Sequence, residues 1–333
     1  MRLPMARLRH HPRSRAGPQI GAPRLAARRL VHRILTGNRI HWTVLRYATS
    51  AGAALPAAGD GAPKHFLWRV TGSKGVVYLL GTIHVGKADF YPLPPVIEDS
   101  FKKADRLIEE VDLSEPAETA RMRQWVTADG GYANGDTITN HLSEVTRSHL
   151  AAYVKKGGLP EPAVAQMRPW VLSMLLELLE MKRMGLDPSY GLDRHFLEEA
   201  RQSHKPIGAL EDAELQLKLF SSLSEELQDR LLLSGLVDME TWADSLDRMT
   251  RAWQSGDTAV LQEVITGSVR DFPELKPLMT KLFDERNTAM TAKIERFLQT
   301  PKCYFVVVGA GHLVGDQGIL SQLRRKNFTV EQL

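Results

Sequence analysis

One local pattern occurs twice and limits the fold more than anything else in the chain. Val76-Val-Tyr-Leu-Leu-Gly-Thr-Ile-His84 and Phe305-Val-Val-Val-Gly-Ala-Gly-His312 each carry an unbroken apolar run into Gly-x-x-His. Such a run is the mark of a central strand buried on both faces, and its glycine lets the backbone turn sharply or come close to a neighbour. The histidine then falls just past the carboxyl end of the strand, where open α/β sheets bind ligands. If both strands belong to one sheet, His84 and His312 converge on one crevice.

The rest of the pattern supports that sheet. Phe66–Val70 and Val76–Leu80 flank Thr71-Gly-Ser-Lys-Gly75, a hairpin signal. A short helix over Val96–Lys103 leads to a strand over Arg106–Asp112, which gives a βαβ-like element. Apolar residues at three- and four-residue spacing then predict helices over 115–128, 139–155, 160–184 and 191–203. After a short strand, Pro206–Leu210, that stops at Glu211, further helices are predicted over 213–236, 240–255, 258–267 and 276–298. The chain closes with a strand over Cys303–Val308, a helix over 318–326 and a last strand over 328–332. The expected fold class is therefore α/β. The N- and C-terminal parts form a central mixed sheet, and a large helical section, about residues 114–300, is inserted between them within one domain over 64–333.

Charge separates that body from what precedes it. Of the 43 Lys and Arg residues, eleven arginines lie in residues 1–59, where there is no Asp, Glu or Lys; the remaining 32 face 39 acidic residues, a balance of −7. A body of that sign lacks the positive field that draws phosphate backbones, so nucleic acid is not the expected partner. Residues 1–63 read as a disordered, Arg-rich tail or targeting segment. Three readings stay open: a transit peptide, a signal-peptide core over Trp42–Ala58, or a start-site artefact ahead of a shorter export signal. Export to the periplasm or beyond is the favoured destination, with mitochondrial or cytoplasmic residence as the alternatives. No transmembrane segment is expected, because the longest apolar stretch, around Val171–Met181, is broken by Glu177 and Glu180. The single cysteine, Cys303, excludes a disulfide framework and sites built from several thiolates.

Carboxylates stand at the ends of two other strands: Glu109, Glu110 and Asp112 on one, Glu211 on the other. Two histidines with such carboxylates have the composition of a hard or borderline divalent-metal site, although neutral imidazoles also serve as acid and base. No His-Glu-x-x-His spacing is present, so the fold has to assemble the ligands. A dinucleotide fingerprint at Gly309-x-Gly311 with Glu331 downstream is the weaker reading, because Gly315 comes one position late and no second mononucleotide-binding half follows.

At these residues the sequence resembles the TraB/GumN family, which includes the PrgY pheromone-shutdown proteins and is related to the Tiki metalloproteases. The resemblance runs over about 64–333 through Phe66-Leu-Trp-Arg-Val, Leu80-Gly-Thr-Ile-His84, Glu110-Val-Asp-Leu, Arg168-Pro-Trp170, Gly191-Leu-Asp193, Leu210-Glu211 with Gln216, Glu285-Arg-Asn287 with Met290, and Val308-Gly-Ala-Gly-His-Leu-Val-Gly315. It implies an active centre of His84, His312, Glu110 and Arg286, with Glu110 preferred to Glu109 because it fills the family's Glu-x-Asp position. The Tiki branch implies metal-dependent hydrolysis of a peptide or protein substrate. The divalent ion expected is manganese, cobalt or zinc, on His84, His312, Glu110 and Glu211. Arg286 would then stabilise an oxyanion or orient a substrate carboxylate. Two other readings stand beside this one. A module could bind or sequester peptides through Trp125, Trp170, Trp242, Trp253 and methionines such as Met167, Met174, Met181 and Met184, or a metal-free, esterase-like hydrolase could use one histidine as general base.

Overall fold

The computed structural model describes residues 64–112, 116–157, 159–239 and 241–333; the expectations for the tail fall on 1–63, outside the described residues. Strands β1 (Leu67–Thr71) and β2 (Val76–Thr82) form the expected hairpin, with Leu67 opposite Leu80 and Thr71 opposite Val76. After the helix Pro95–Lys103 comes β3 (Arg106–Val111), and much later β4 (Ile207–Glu211), β5 (Cys303–Gly309) and β6 (Thr329–Gln332). They join in one sheet of order β4-β3-β5-β2-β1-β6.

The decisive step is the insertion of β5 between β2 and β3. It runs parallel to both, with Val76 opposite Cys303, Thr82 opposite Gly309 and Leu107 opposite Phe305. β4 extends the parallel set on the far side of β3, with Val111 opposite Glu211. β1 and β6 close the other edge in antiparallel pairing. Four parallel strands therefore end along one edge, which brings the predicted histidines and glutamates to a common rim.

Burial explains why β2 and β5 read as uninterrupted apolar runs. Leu79, Leu80, Phe305, Val306, Val307 and Val308 have no exposed surface, since helices cover both faces of the sheet. On one face Phe101, Phe196 and Phe305 interlock at ring-centroid distances of 4.8–5.4 Å. They tie the helices Pro95–Lys103 and Leu192–Gln202 to β5. On the other face the helix Arg286–Leu298 presents Met290, Ile294 and Leu298, all fully buried. Removing one such side chain from water contributes about 1.5–3 kcal/mol, so each face offers a strong register signal.

The helical section is more finely divided than its periodicity predicts. The expected helix over 160–184 is split into Glu161–Ala165 and Pro169–Arg183, because the residue before Pro169, Arg168, is extended (φ −71°, ψ 152°). The one over 213–236 is split into Ala213–Ser221 and Glu225–Asp238, where Ser224 leaves helical geometry and its hydroxyl caps the second piece through the Leu227 N–H at 3.2 Å. The one over 276–298 is continuous but passes through a π-helical stretch, Thr280–Glu285, directly before Arg286. The dinucleotide reading fails on geometry. A 3-10 turn, Ala310–His312, follows Gly309, and the next helix starts only at Ile319; Glu331 lies on β6, paired with Arg69 near the opposite edge of the sheet.

Candidate functional site

The first Gly-x-x-His turn is held by packing. The ring of Phe66 lies where a side chain on Gly81 would go, 2.5 Å from an added Cβ, while the indole N–H of Trp253 donates to the Gly81 carbonyl at 2.6 Å. Beyond it, the Thr82 hydroxyl bonds to Asp193 Oδ1 at 2.8 Å and lies 3.1 Å from the Val308 carbonyl, stitching β2, β5 and the helix Leu192–Gln202 together. Asp193 uses its other oxygen on His84, with Oδ2 2.8 Å from Nδ1. Burial opposes charge on this ring, but the Asp193 carboxylate, and then Glu110, outweigh it and raise the His84 pKa.

The second turn places His312, 1% exposed, against the same rim. Its Nδ1 is 2.6 Å from Asn287 Oδ1, and its Nε2 is 3.5 Å from Glu110 Oε1 with no hydrogen-bond partner. Burial, reinforced by the nearby Arg286 charge, lowers its pKa against the pull of Glu110. Gly309 is the floor of this arrangement. A Cβ added there would lie 3.1 Å from His84 Nε2 and 3.6 Å from both Glu110 Oε2 and His312 Cδ2.

Glu110 accepts from the Gly309 N–H at 3.0 Å, from Gln216 Nε2 at 2.9 Å and from Arg286 through a short ion pair. Burial alone would raise its pKa; the Arg286 guanidinium, followed by His312, outweighs it and holds the carboxyl well below the usual range. Arg286 is shared with Glu211: its Nε lies 3.0 and 2.9 Å from the two Glu211 oxygens and its NH2 2.6 Å from Oε2. The remaining NH1 bonds the Leu282 carbonyl in the π-helical stretch at 3.1 Å. That local distortion thus aims the guanidinium at the rim.

The structure brings His84, Glu110, His312 and Arg286 into one buried cluster. Glu211 reaches it only through Arg286, which engages both of its carboxylate oxygens. Glu109, one residue from Glu110, points to the opposite face of β3. Its carboxyl is 1% exposed without a hydrogen-bond partner, and burial, with the charges of Asp193 and Asp112, raises its pKa well above the ordinary value. Asp193, Asn287 and Gln216 stood within quoted stretches of sequence without an expected role; their pairing with His84, His312 and Glu110 crosses 109, 25 and 106 positions, beyond any local periodicity.

A divalent ion is tested by the donors present. His312 Nε2 is a buried imidazole nitrogen with no hydrogen-bond partner beside a carboxylate, and the cluster sets three acidic groups, Glu110 and Glu211 on Arg286 and Asp193 on His84, against one guanidinium. The donor types and this acidic excess fit a divalent cation at His312, His84 and Glu110. Among the described residues, no group of three His, Cys, Asp or Glu side chains stands as a formed metal site.

The apolar side chains of the sequestering reading are mostly core. Trp170, Trp242, Trp253, Met167 and Met181 are buried, and Trp125, Met174 and Met184 are half-buried against apolar clusters.

An α/β sheet carrying a two-histidine, glutamate and arginine cluster at its carboxyl rim defines the class. Residues 66–332 match the TraB/PrgY/gumN family, and the chain belongs to it. It is similar to YbaP of Escherichia coli (strain K12), with 30% identity over 256 residues, covering 74% of this chain and 87% of that protein. A protein of Treponema pallidum (strain Nichols) is 25% identical over 294 residues, 83% of this chain and 84% of its own. Metalloprotease TIKI1 of Danio rerio is 25% identical over 313 residues, which cover 80% of this chain and 62% of that protein. No solved structure matches the chain. Among the described residues no helix is long and apolar enough to cross a membrane.

Proposed function

We propose that this protein is a hydrolase that cleaves peptide bonds at the rim formed by His84, Glu110, His312 and Arg286. The observation that carries the reading is the convergence of His84, Glu110 and His312 on Gly309, with a buried imidazole nitrogen left unbonded at His312. The similarity to proteins named metalloproteases supports the reaction class. His312, His84 and Glu110 are the residues that would hold a divalent ion. There they would give a divalent ion such as manganese, cobalt or zinc the place from which it would supply Lewis-acid polarisation of a carbonyl and activation of water.

The chain's own groups perform the remaining work. Asp193 engages Nδ1 of the His84 ring and so turns Nε2, the nitrogen above Gly309, toward the rim. Arg286 is fixed by five bonds to Glu110, Glu211 and Leu282 and keeps a positive charge beside the place where an oxyanion develops. Gln216 and the Gly309 N–H orient the Glu110 carboxylate. The burial of these groups raises the strength of each electrostatic contact.

The test combines metal analysis of the purified full chain with mass spectrometry of an incubated peptide pool, on wild type, His84→Ala and His312→Ala. New peptide masses with wild type, lost in both variants together with bound metal, are expected. Intact masses in every sample would refute the hydrolase. Cleavage that survives a chelator, with no metal in wild type, would favour a second reading drawn from the His84–Asp193 pair, in which His84 acts as base in metal-free hydrolysis. Location outside the cytoplasm remains part of the proposal through the Arg-rich segment 1–59 alone.

A further inference from the structure

The geometry assigns to Asn287 a positioning role: it fixes His312 as the imidazole tautomer protonated on Nδ1, so that Nε2, facing Glu110, is the nitrogen that works. The chain of donors leads to one answer. The Gln317 carbonyl is a pure acceptor, and Asn287 Nδ2 lies 3.0 Å from it. That contact settles which end of the amide is which and turns Oδ1 toward the ring. Oδ1 cannot donate, so the 2.6 Å contact with His312 Nδ1 requires the proton on the histidine. The same carbonyl also accepts from Gln322 Nε2 at 2.8 Å, so the Asn287 amide hangs from an anchor held on both sides.

Nε2 is placed differently from Nδ1. The nearest carboxylate oxygen, Glu110 Oε1, is 3.5 Å away and already accepts from Arg286 and Gln216. Nε2 has no hydrogen-bond partner, and the residue is 1% exposed. With its proton on Nδ1, the ring turns Nε2 toward the rim, the nitrogen that can ligate a cation or accept a proton from water. His84 differs in kind, because a carboxylate rather than an amide faces its Nδ1. An amide acceptor holds the tautomer without the electrostatic reward that a carboxylate gives an imidazolium. The two histidines of the repeated motif are thereby committed to unequal tasks. The consequence for catalysis rests on the hydrolase reading above; the tautomer does not.

The experiment reads the tautomer directly by long-range proton–nitrogen-15 NMR of histidine side chains in the metal-free full chain, with His312 assigned from the signal missing in His312→Gln. Wild type is expected to show a protonated, pyrrole-type Nδ1 and a pyridine-type Nε2. Asn287→Asp, which keeps an acceptor, should retain the proton on Nδ1, and Asn287→Leu should transfer the proton to Nε2. Peptide hydrolysis by Asn287→Leu should fall about 10–100-fold in kcat with KM little changed. A pyrrole-type Nε2 in wild type overturns the assignment, and so does an unchanged pattern in folded Asn287→Leu. If Asn287→Leu does not fold, the wild-type and Asn287→Asp spectra still decide. Correct spectra with no hydrolysis by wild type would refute the function and leave the tautomer assignment standing.

Discussion

Gly309 lies so close beneath His84 that a single methyl group on it would stand 3.1 Å from Nε2 of the ring. Its backbone angles (φ −52°, ψ 134°) suit any residue, so space and not conformation demands glycine here. Gly309→Ala is therefore expected to fold and to displace the His84 ring by a few tenths of an ångström, with Glu110 and His312, at 3.6 Å, left in ordinary contact. Thermal unfolding should show a loss of only a few degrees, while any hydrolysis or metal uptake falls. Wild-type activity in that variant would show that the rim is not the working surface.

Arg286 neutralises two buried carboxylates at once. Replacing it by alanine leaves Glu110 and Glu211 uncompensated, at a cost of about 3–5 kcal/mol, whereas Arg286→Lys keeps the charge and loses the fork, at a smaller cost. The acid limb should move as well. Because the folded-state pKa of Glu110 is depressed, its stabilisation is complete above the ordinary carboxylate range and disappears as pH falls through the folded value. Without Arg286 that depression shrinks, and acid unfolding followed by circular dichroism should begin at higher pH. Urea titrations of the three proteins at neutral pH supply the first comparison. An unchanged urea midpoint in Arg286→Ala would contradict the buried-pair account.

Glu109 should act in the opposite sense. Its folded-state pKa is raised, so the fold retains a proton that the unfolded chain releases, and stability declines as pH climbs above the ordinary glutamate value. The slope is about 1.4 kcal/mol per pH unit until the folded value is passed. Glu109→Gln removes this slope, and its advantage over wild type in urea should grow from pH 5 to pH 8. A constant difference across that range would mean that Glu109 is not held neutral.

At the surface of the helical section, His141 is gripped on both sides, with Nε2 2.8 Å from Asp136 and Nδ1 2.9 Å from Glu225, and Tyr132 stacked on it at 4.3 Å. Two carboxylate acceptors need two ring protons. Burial works against the charge, yet Asp136 and Glu225 outweigh it and raise the pKa, while Asn140, followed by His141, pulls Asp136 down to about 2. The contribution is complete below the ordinary histidine value and is lost as pH rises through the folded one. Between pH 6 and pH 9, the melting temperature of wild type should fall by about 1–3 °C relative to His141→Gln. Parallel melting curves would dismiss the clasp.

Much of this was legible without coordinates. The apolar runs into Gly-x-x-His announced two buried central strands, whereas the periodicity across Pro169 and Ser224 concealed where the helices stop. The residue types of the centre could also be read, because histidines and carboxylates at strand ends are chemically conspicuous. Asp193 and Asn287 were not conspicuous: an acid near a helix start and an amide inside a helix have ordinary local explanations.

Local sequence therefore determined the strands, the turns and the chemical inventory of the rim, since alternation, apolar runs and glycine positions act over a few residues. Tertiary structure alone decided that β5 enters between β2 and β3, that Glu110 and not Glu109 faces Arg286, that Glu211 serves the guanidinium, and which partner each histidine meets. The reason is physical. Register between strands separated by about two hundred residues is chosen by the simultaneous burial of both sheet faces, and a one-residue slip would turn every one of those side chains to the other side.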